Sequence, residues 1–260
     1  MNGDIGFVGL AISTVLIAVA VAVSVTQQLG LERPILWAAT RAFCQLMLVG
    51  LALDVIIDPR RPIVLSWLWV AAMVLFAAGT TARRAPEVPG VLGLSLVAYT
   101  LAAMASLGVL LGLGVFPVSG RTIVPLAGMV VGNSLAATVL VGRRIVAEFS
   151  EKRAEVESRL ALGQSPRDAA RPSVRLAVRT ALIPQIETTK AVGIVFLPGA
   201  MVGLILAGVE PLAAVKVQAA VMYLILGSVS MTTTVVALGL ARRLFTADER
   251  LVRIVRPPGS

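Results

Sequence analysis

The chain has 260 residues, 57% of them hydrophobic and only 14% charged, with a mean hydropathy of +0.91, far outside the range of soluble domains. Its net charge of +9 does not point to nucleic acid, because the basic residues flank apolar segments where lipid and orientation explain them. Histidine is absent, which removes the commonest metal ligand and the commonest general base together.

Runs of about 20 apolar residues match ~30 Å of hydrocarbon at ~1.5 Å per residue. Their apolarity is continuous rather than alternating, so they predict helices and not a barrel. The expected fold is an all-α integral membrane protein, a single domain of about seven transmembrane helices. The first span is 5–25, uncleaved because no basic residue precedes it. The second, 35–57, carries Arg41 well inside the span, with Gln45 four residues on and therefore on the same helix face. Two readings fit this pair: a polar patch on a translocation path, or an arginine whose stem snorkels to the interface. Cys44, the single cysteine, forms no internal disulfide and reads as a buried small hydrophobe.

Spans three and four are 63–81 and 91–116. In the fifth, 123–141, Asn133 and Ser134 follow Gly128 and Gly132. Small residues four apart let helices approach closely in lipid. The other reading puts the Asn133 amide oxygen in the path of a cation. The sixth, 191–209, is interrupted by Leu197-Pro198-Gly199, which frees carbonyls that lipid cannot satisfy, so the break is a hinge or a site. The seventh is 215–240. With the amino terminus outside, 18 Lys and Arg fall on inside segments and four on outside segments. That bias places the amino terminus outside and the carboxyl terminus inside.

Residues 142–190 form the chain's large polar insertion, with ten basic and six acidic residues. From Arg143 to Leu162 no Pro or Gly intervenes, so the fifth helix is expected to continue into water, with Glu151, Glu155 and Arg159 at four-residue spacing. Gly163 ends that helix. Ser165 caps the next, with Pro166 at its first position and Asp168 in its first turn. This second helix is expected to be short, 166–171, with Pro172 opening a further stretch to residue 183 and Pro184 marking re-entry into the membrane. Glu187 and Lys190 are expected as a pair at the inner boundary. Glu187, Met129 and Met201 are the weak metal candidates, since methionine in an apolar helix is mostly packing. No Gly-x-x-x-x-Gly-Lys-Ser/Thr loop is present to cradle phosphates. The chain is therefore not expected to be an enzyme or to hold a cofactor of its own, and energy must come from a partner or an ion gradient.

Glu157, Gly163 six residues on, and Ser165-Pro166 resemble the cytoplasmic coupling loop of ABC-transporter permeases, although Ser158 and Arg159 stand where that consensus has alanines. Further along, Gly128-Met129-Val130-Val131-Gly132-Asn133-Ser134, Leu197-Pro198-Gly199-Ala200-Met201-Val202-Gly203 and the Arg243-Leu244-Phe245-Thr246 tail resemble the FetB family of ABC-type permeases. The resemblance implies a homodimer in the bacterial plasma (inner) membrane that pairs with a cytoplasmic ATPase subunit binding ATP and Mg. It implies iron export, with plant relatives associated with aluminium tolerance. Glu157, Leu162, Gly163, Ser165, Pro166 and Arg167 are then the residues expected to meet the ATPase. Arg41, Gln45, Asn133, Ser134, Pro198 and Gly199 are those expected along the path. A gradient-driven carrier needs an intramembrane carboxylate, and only Asp54 comes near one. A permease for an organic solute stays open as well.

Overall fold

Lipid cannot satisfy a backbone N–H or C=O, so each long apolar run closes its own hydrogen bonds as a helix. A computed structural model describes residues 7–58, 60–246 and 248–252. They form α1 (Phe7–Thr26), α2 (Glu32–Ile56), α3 (Val64–Arg84), α4 (Val91–Gly112), α5 (Gly120–Glu151), α6 (Arg153–Ala161), α7 (Pro166–Ala191), α8 (Gly199–Leu206) and α9 (Pro211–Arg243). The chain is a helical membrane protein. Ile5, where the first predicted span begins, and the tail residues Arg253 and Arg256 lie outside the described residues.

Among the described residues, five helices are long and apolar enough to cross a membrane: α2, α3, α4, α5 and α9. The stretch Ile12–Thr26 of α1 is apolar but shorter. α5 and α9 have 32 and 33 residues, or about 48 and 50 Å at 1.5 Å per residue, so both outrun ~30 Å of hydrocarbon. α9 is the hub, packed against α4, α5, α7 and α8, while α3 packs on α4 and α5.

Two apolar clusters stack along the bundle. One joins Val141, Ile145 and Phe149 of α5 to Val174 and Ala177 of α7 and Leu240 of α9. The other joins Ile123, Ala127 and Val130 of α5 to Leu107 of α4 and Val221 and Val229 of α9. Polar contacts lock the bundle ends. Arg143 pairs with Glu87 at 2.9 Å and donates to the Arg84 carbonyl, and Arg243 donates to the Gly90 carbonyl at 3.0 Å. At the opposite end, Gly120 fits against Ser66 and the Ile56 carbonyl, where a Cβ would come within 2.6 Å of the serine hydroxyl.

The α1–α2 pair stands apart from this bundle. α2 packs on α1 and touches the remainder only lightly through α3, and none of its apolar window is buried. Its turn is latched by Ser24, whose hydroxyl donates to Glu32 Oε1 at 2.7 Å and accepts from the Leu31 N–H at 3.0 Å. Cys44, expected buried, is exposed here, because α2 has no neighbour on that face.

One expected break is longer than the sequence suggests, and two further expectations fail against the tertiary fold. The interruption expected at Leu197-Pro198-Gly199 within 191–209 is present, and it is longer than those residues. Residues 192–198 leave the helical path, with Gly193 at φ +87° and its N–H donating to the Phe196 carbonyl at 2.9 Å. Only α8, of eight residues and about 12 Å, follows before Gly208 turns the chain at φ +87°. In contrast, Pro172 and Pro184 do not divide α7, which runs unbroken through both. Each costs one backbone hydrogen bond, but the small residues Ala169, Ala170, Ala177 and Ala181 seat α7 closely in the bundle. The expected short helix 166–171 is thus the first turns of a 26-residue one. Finally, the helix expected through Leu162 breaks once, at Lys152 (φ −103°, ψ 25°), which separates α5 from α6.

Candidate functional site

Where α7 ends and the chain leaves helical geometry, a cavity of about 320 Å³ opens between three long helices. α5 contributes Met129 and Asn133, α7 contributes Gln185 and Thr188, and α9 contributes Gln218, Val221, Met222 and Ile225. Phe196, Pro198, Gly199 and Ala200 close it from the broken stretch. Asn133 is about 20 Å along α5 from Gly120 and about 15 Å from Arg143 at 1.5 Å per residue, so the cavity lies near mid-height of the bundle. Non-helical backbone at that depth is tolerated where it lines a cavity or is covered by protein.

The lining is neutral and polar on one side. Asn133 Nδ2 donates to the Met129 carbonyl at 2.8 Å, and Thr188 Oγ1 donates to the Pro184 carbonyl at 2.8 Å. Gln218 is 4% exposed, and its Oε1 has no hydrogen-bond partner among the described residues.

Of the residues expected along a path, Asn133, Pro198 and Gly199 meet in this cavity, and so does the metal candidate Met129. Ser134 does not line it. It is fully buried on the neighbouring face of α5. Met201, in the first turn of α8, is half-buried outside the lining. Arg41 and Gln45 lie on the exposed surface of α2, away from the cavity.

Glu187 and Lys190 form the expected pair at 2.9 Å, but far from the α6 end of the bundle. They flank Thr188 and so sit level with Asn133. Because α7 passes through Pro184 without a break, it carries both residues along an exposed face to the level of the cavity. A larger cleft of about 910 Å³ separates α1 from α2, but its lining is apolar apart from a few hydroxyls, so it offers little to orient a polar cargo. Gln185, Thr188 and Gln218 escaped the sequence reading. Gln218 alone left a trace there, as the amide in an apolar run spaced with Ala214, Val221 and Ile225 on the buried stripe of α9.

A second polar assembly occupies the α6 end. Leu162 and Gly163 make the turn between α6 and α7. The Gln164 N–H donates to the Arg159 carbonyl at 3.1 Å and the Gly163 N–H to the Leu160 carbonyl at 2.9 Å, the paired bonds of a glycine-terminated helix. Gly163 sits at φ +81°, where a side chain is strained. Ser165 then caps α7 as expected: its oxygen accepts from the Asp168 N–H at 3.2 Å and its hydroxyl donates to Asp168 Oδ2 at 2.7 Å.

The tail buttresses this turn. Arg153 donates to the Leu251 and Val252 carbonyls at 2.9 and 3.1 Å, and Phe149 meets Phe245 edge-on with ring centroids 6.1 Å apart. Glu148 is buried beneath, bridged to Arg144 at 2.6 Å and Lys152 at 2.9 Å. Glu157 pairs with Arg153 at 2.7 Å and borders one shallow cleft against the tail. Ser165, Pro166 and Arg167 border another. Leu162 stands 82% exposed at the tip, a large aliphatic group on a charged surface.

Among the described residues no group of three His, Cys, Asp or Glu side chains is placed to hold a metal. No solved structure matches the chain. The "UPF0014 membrane protein STAR2" of Oryza sativa subsp. japonica is 37% identical over 231 residues, covering 88% of this chain and 80% of that protein. "Protein ALUMINUM SENSITIVE 3" of Arabidopsis thaliana is 34% identical over 230 residues, 88% and 83% of the two chains. The "Probable iron export permease protein FetB" of Escherichia coli (strain K12) is 32% identical over 249 residues, 94% and 93% of the two chains. The sequence model of the uncharacterised protein family UPF0014 matches residues 7–245, which takes in both the cavity and the α6–α7 turn, and the chain belongs to that family.

Proposed function

We propose that this chain is the membrane half of an ABC-type exporter, working as a homodimer in the bacterial inner membrane with ATP and Mg bound by a separate cytoplasmic subunit. The observation that carries this reading is the continuity of α7. One uninterrupted helix of 26 residues, about 39 Å long, has the exposed Leu162–Gly163 turn at its start and the cavity at its end. A partner gripping the turn is then rigidly connected to the residues that touch cargo. The capped, buttressed turn supports a docking role, because a preorganised surface loses little entropy on binding.

In this reading seven crossings put the α6 end in the cytoplasm, consistent with the 18-to-four charge bias. The sixth crossing is discontinuous, made by the end of α7, the broken stretch and α8. The name of the E. coli relative suggests iron as cargo. Neutral amides and thioethers fit a weakly held, partly hydrated or chelated metal better than a tightly bound bare ion, so a metal species is the cargo proposed.

A second reading, a gradient-driven carrier, draws support from Glu187, a carboxylate at the level of the cavity. Reconstitution separates the two. Proteoliposomes holding this chain with its copurifying ATPase are expected to move cargo only with ATP. Undiminished flux without ATP and with an imposed proton gradient overturns the proposal in favour of the carrier.

A further inference from the structure

We infer that the cavity between α5, α7 and α9 is a cation site built from neutral oxygens, with Gln218 as its enclosed ligand. This rests on the permease reading and names what the cavity would hold. Asn133 uses one of its two amide hydrogens on the Met129 carbonyl and Thr188 its hydroxyl hydrogen on the Pro184 carbonyl. Each therefore keeps only lone pairs for a ligand on its oxygen. Gln218 adds an enclosed amide whose Oε1 has no partner among the described residues. An amide oxygen withdrawn from water without a partner costs free energy that a bound cation, or water held by one, would offset. Gln185 supplies a further amide that can present its oxygen.

No charged side chain, basic or acidic, is among the described residues that line the cavity, so the sign of its ligand is set by the dipoles of the amides and the hydroxyl. Lys190, the nearest lysine along α7, is held by Glu187 at 2.9 Å. Oxygen donors of amide and hydroxyl type suit hard divalent cations that keep part of their water shell. The cavity's 320 Å³ exceeds the roughly 30 Å³ of a single water several times over, enough for an ion with water around it. Met129 and Met222 line it as well and add thioethers for softer ions. A site without a formal charge binds weakly, as a site that must release its cargo requires.

The test uses the full chain in lipid nanodiscs without an ATPase, titrated with Mn2+ and followed by the electron paramagnetic resonance signal of the free aquo ion. Mn2+ is expected to bind, Gln218→Leu to weaken binding about tenfold or more, and Gln218→Glu to tighten it about tenfold or more by adding a charged oxygen. Asn133→Leu, at an exposed position on α5, gives the same reading should the Gln218 variants fail to fold. Methylammonium and inorganic phosphate are expected not to displace Mn2+. Equal Mn2+ affinity across wild type, Gln218→Leu, Gln218→Glu and Asn133→Leu overturns the inference, as does displacement by phosphate. Displacement by methylammonium at comparable concentration replaces metal coordination with an organic-cation site and overturns it too. Loss of Mn2+ binding with ATP-dependent transport intact sinks this inference alone. Mn2+ binding by a chain that recruits no ATPase sinks the exporter proposal alone.

Discussion

Replacing Leu162 by Ala removes a side chain that is 82% exposed and that packs on nothing the fold needs, so the chain's own stability is expected to change by no more than about 0.5 kcal/mol. The turn itself survives, because its paired bonds come from the Gly163 and Gln164 backbone. In a complex the balance reverses. Fully burying a leucine side chain contributes about 1.5–3 kcal/mol. Truncation should therefore weaken ATPase capture by about tenfold to a hundredfold, at 1.4 kcal/mol per factor of ten. The assay has two arms on one preparation: thermal unfolding in detergent, and binding of the copurifying ATPase with its stimulated hydrolysis. Unchanged melting with lost capture supports docking at the tip. Unchanged capture at unchanged stability refutes the assignment of Leu162 to the interface.

Phe149→Ala empties a fully buried position and removes the edge contact with Phe245. A loss of about 3–5 kcal/mol is expected, seen as a lower melting temperature and faster proteolysis around residues 245–252. Gly239→Val drives side-chain atoms past the point where even a Cβ would lie 2.5 Å from Leu94 Cδ2. It should cost about 1–3 kcal/mol by overpacking α4 against α9. Gly132→Ala, with open space around the added carbon, should be neutral or stabilising by up to about 1 kcal/mol. Both are read by thermal unfolding. Arg41→Leu is expected to leave insertion intact and reduce transport. Normal flux in that variant assigns Arg41 to the lipid interface instead.

The helical class, the capped turn at Gly163 and Ser165, and most helix boundaries could be read from the chain because they rest on local chemistry. Apolar run length, a glycine needing positive φ, and a serine before a proline each act within a few residues. The errors arose where a local rule met a neighbour it could not see. Pro172 and Pro184 are helix breakers in isolation, yet the alanine face of α7 holds the helix together across both. Glu187 and Lys190 looked peripheral only because re-entry was placed at Pro184. The cavity collects single neutral residues from three distant segments, so no spacing announces it. Asn133 and the Pro198-Gly199 break stood out by being odd in an oily stretch, while Gln185 and Thr188 lay in polar sequence and gave no such contrast.

The hub of the bundle is also its latest arrival. α9 supplies the surface on which α4, α5, α7 and α8 settle, and among the described helices it is the last in chain order. Until then the earlier helices lack the partner that fills their shared interior. Completion of the bundle must therefore wait for α9, and a nascent chain truncated before residue 211 would keep the packing of α3, α4, α5 and α7 on one another but lack the surface that α4, α5 and α7 share.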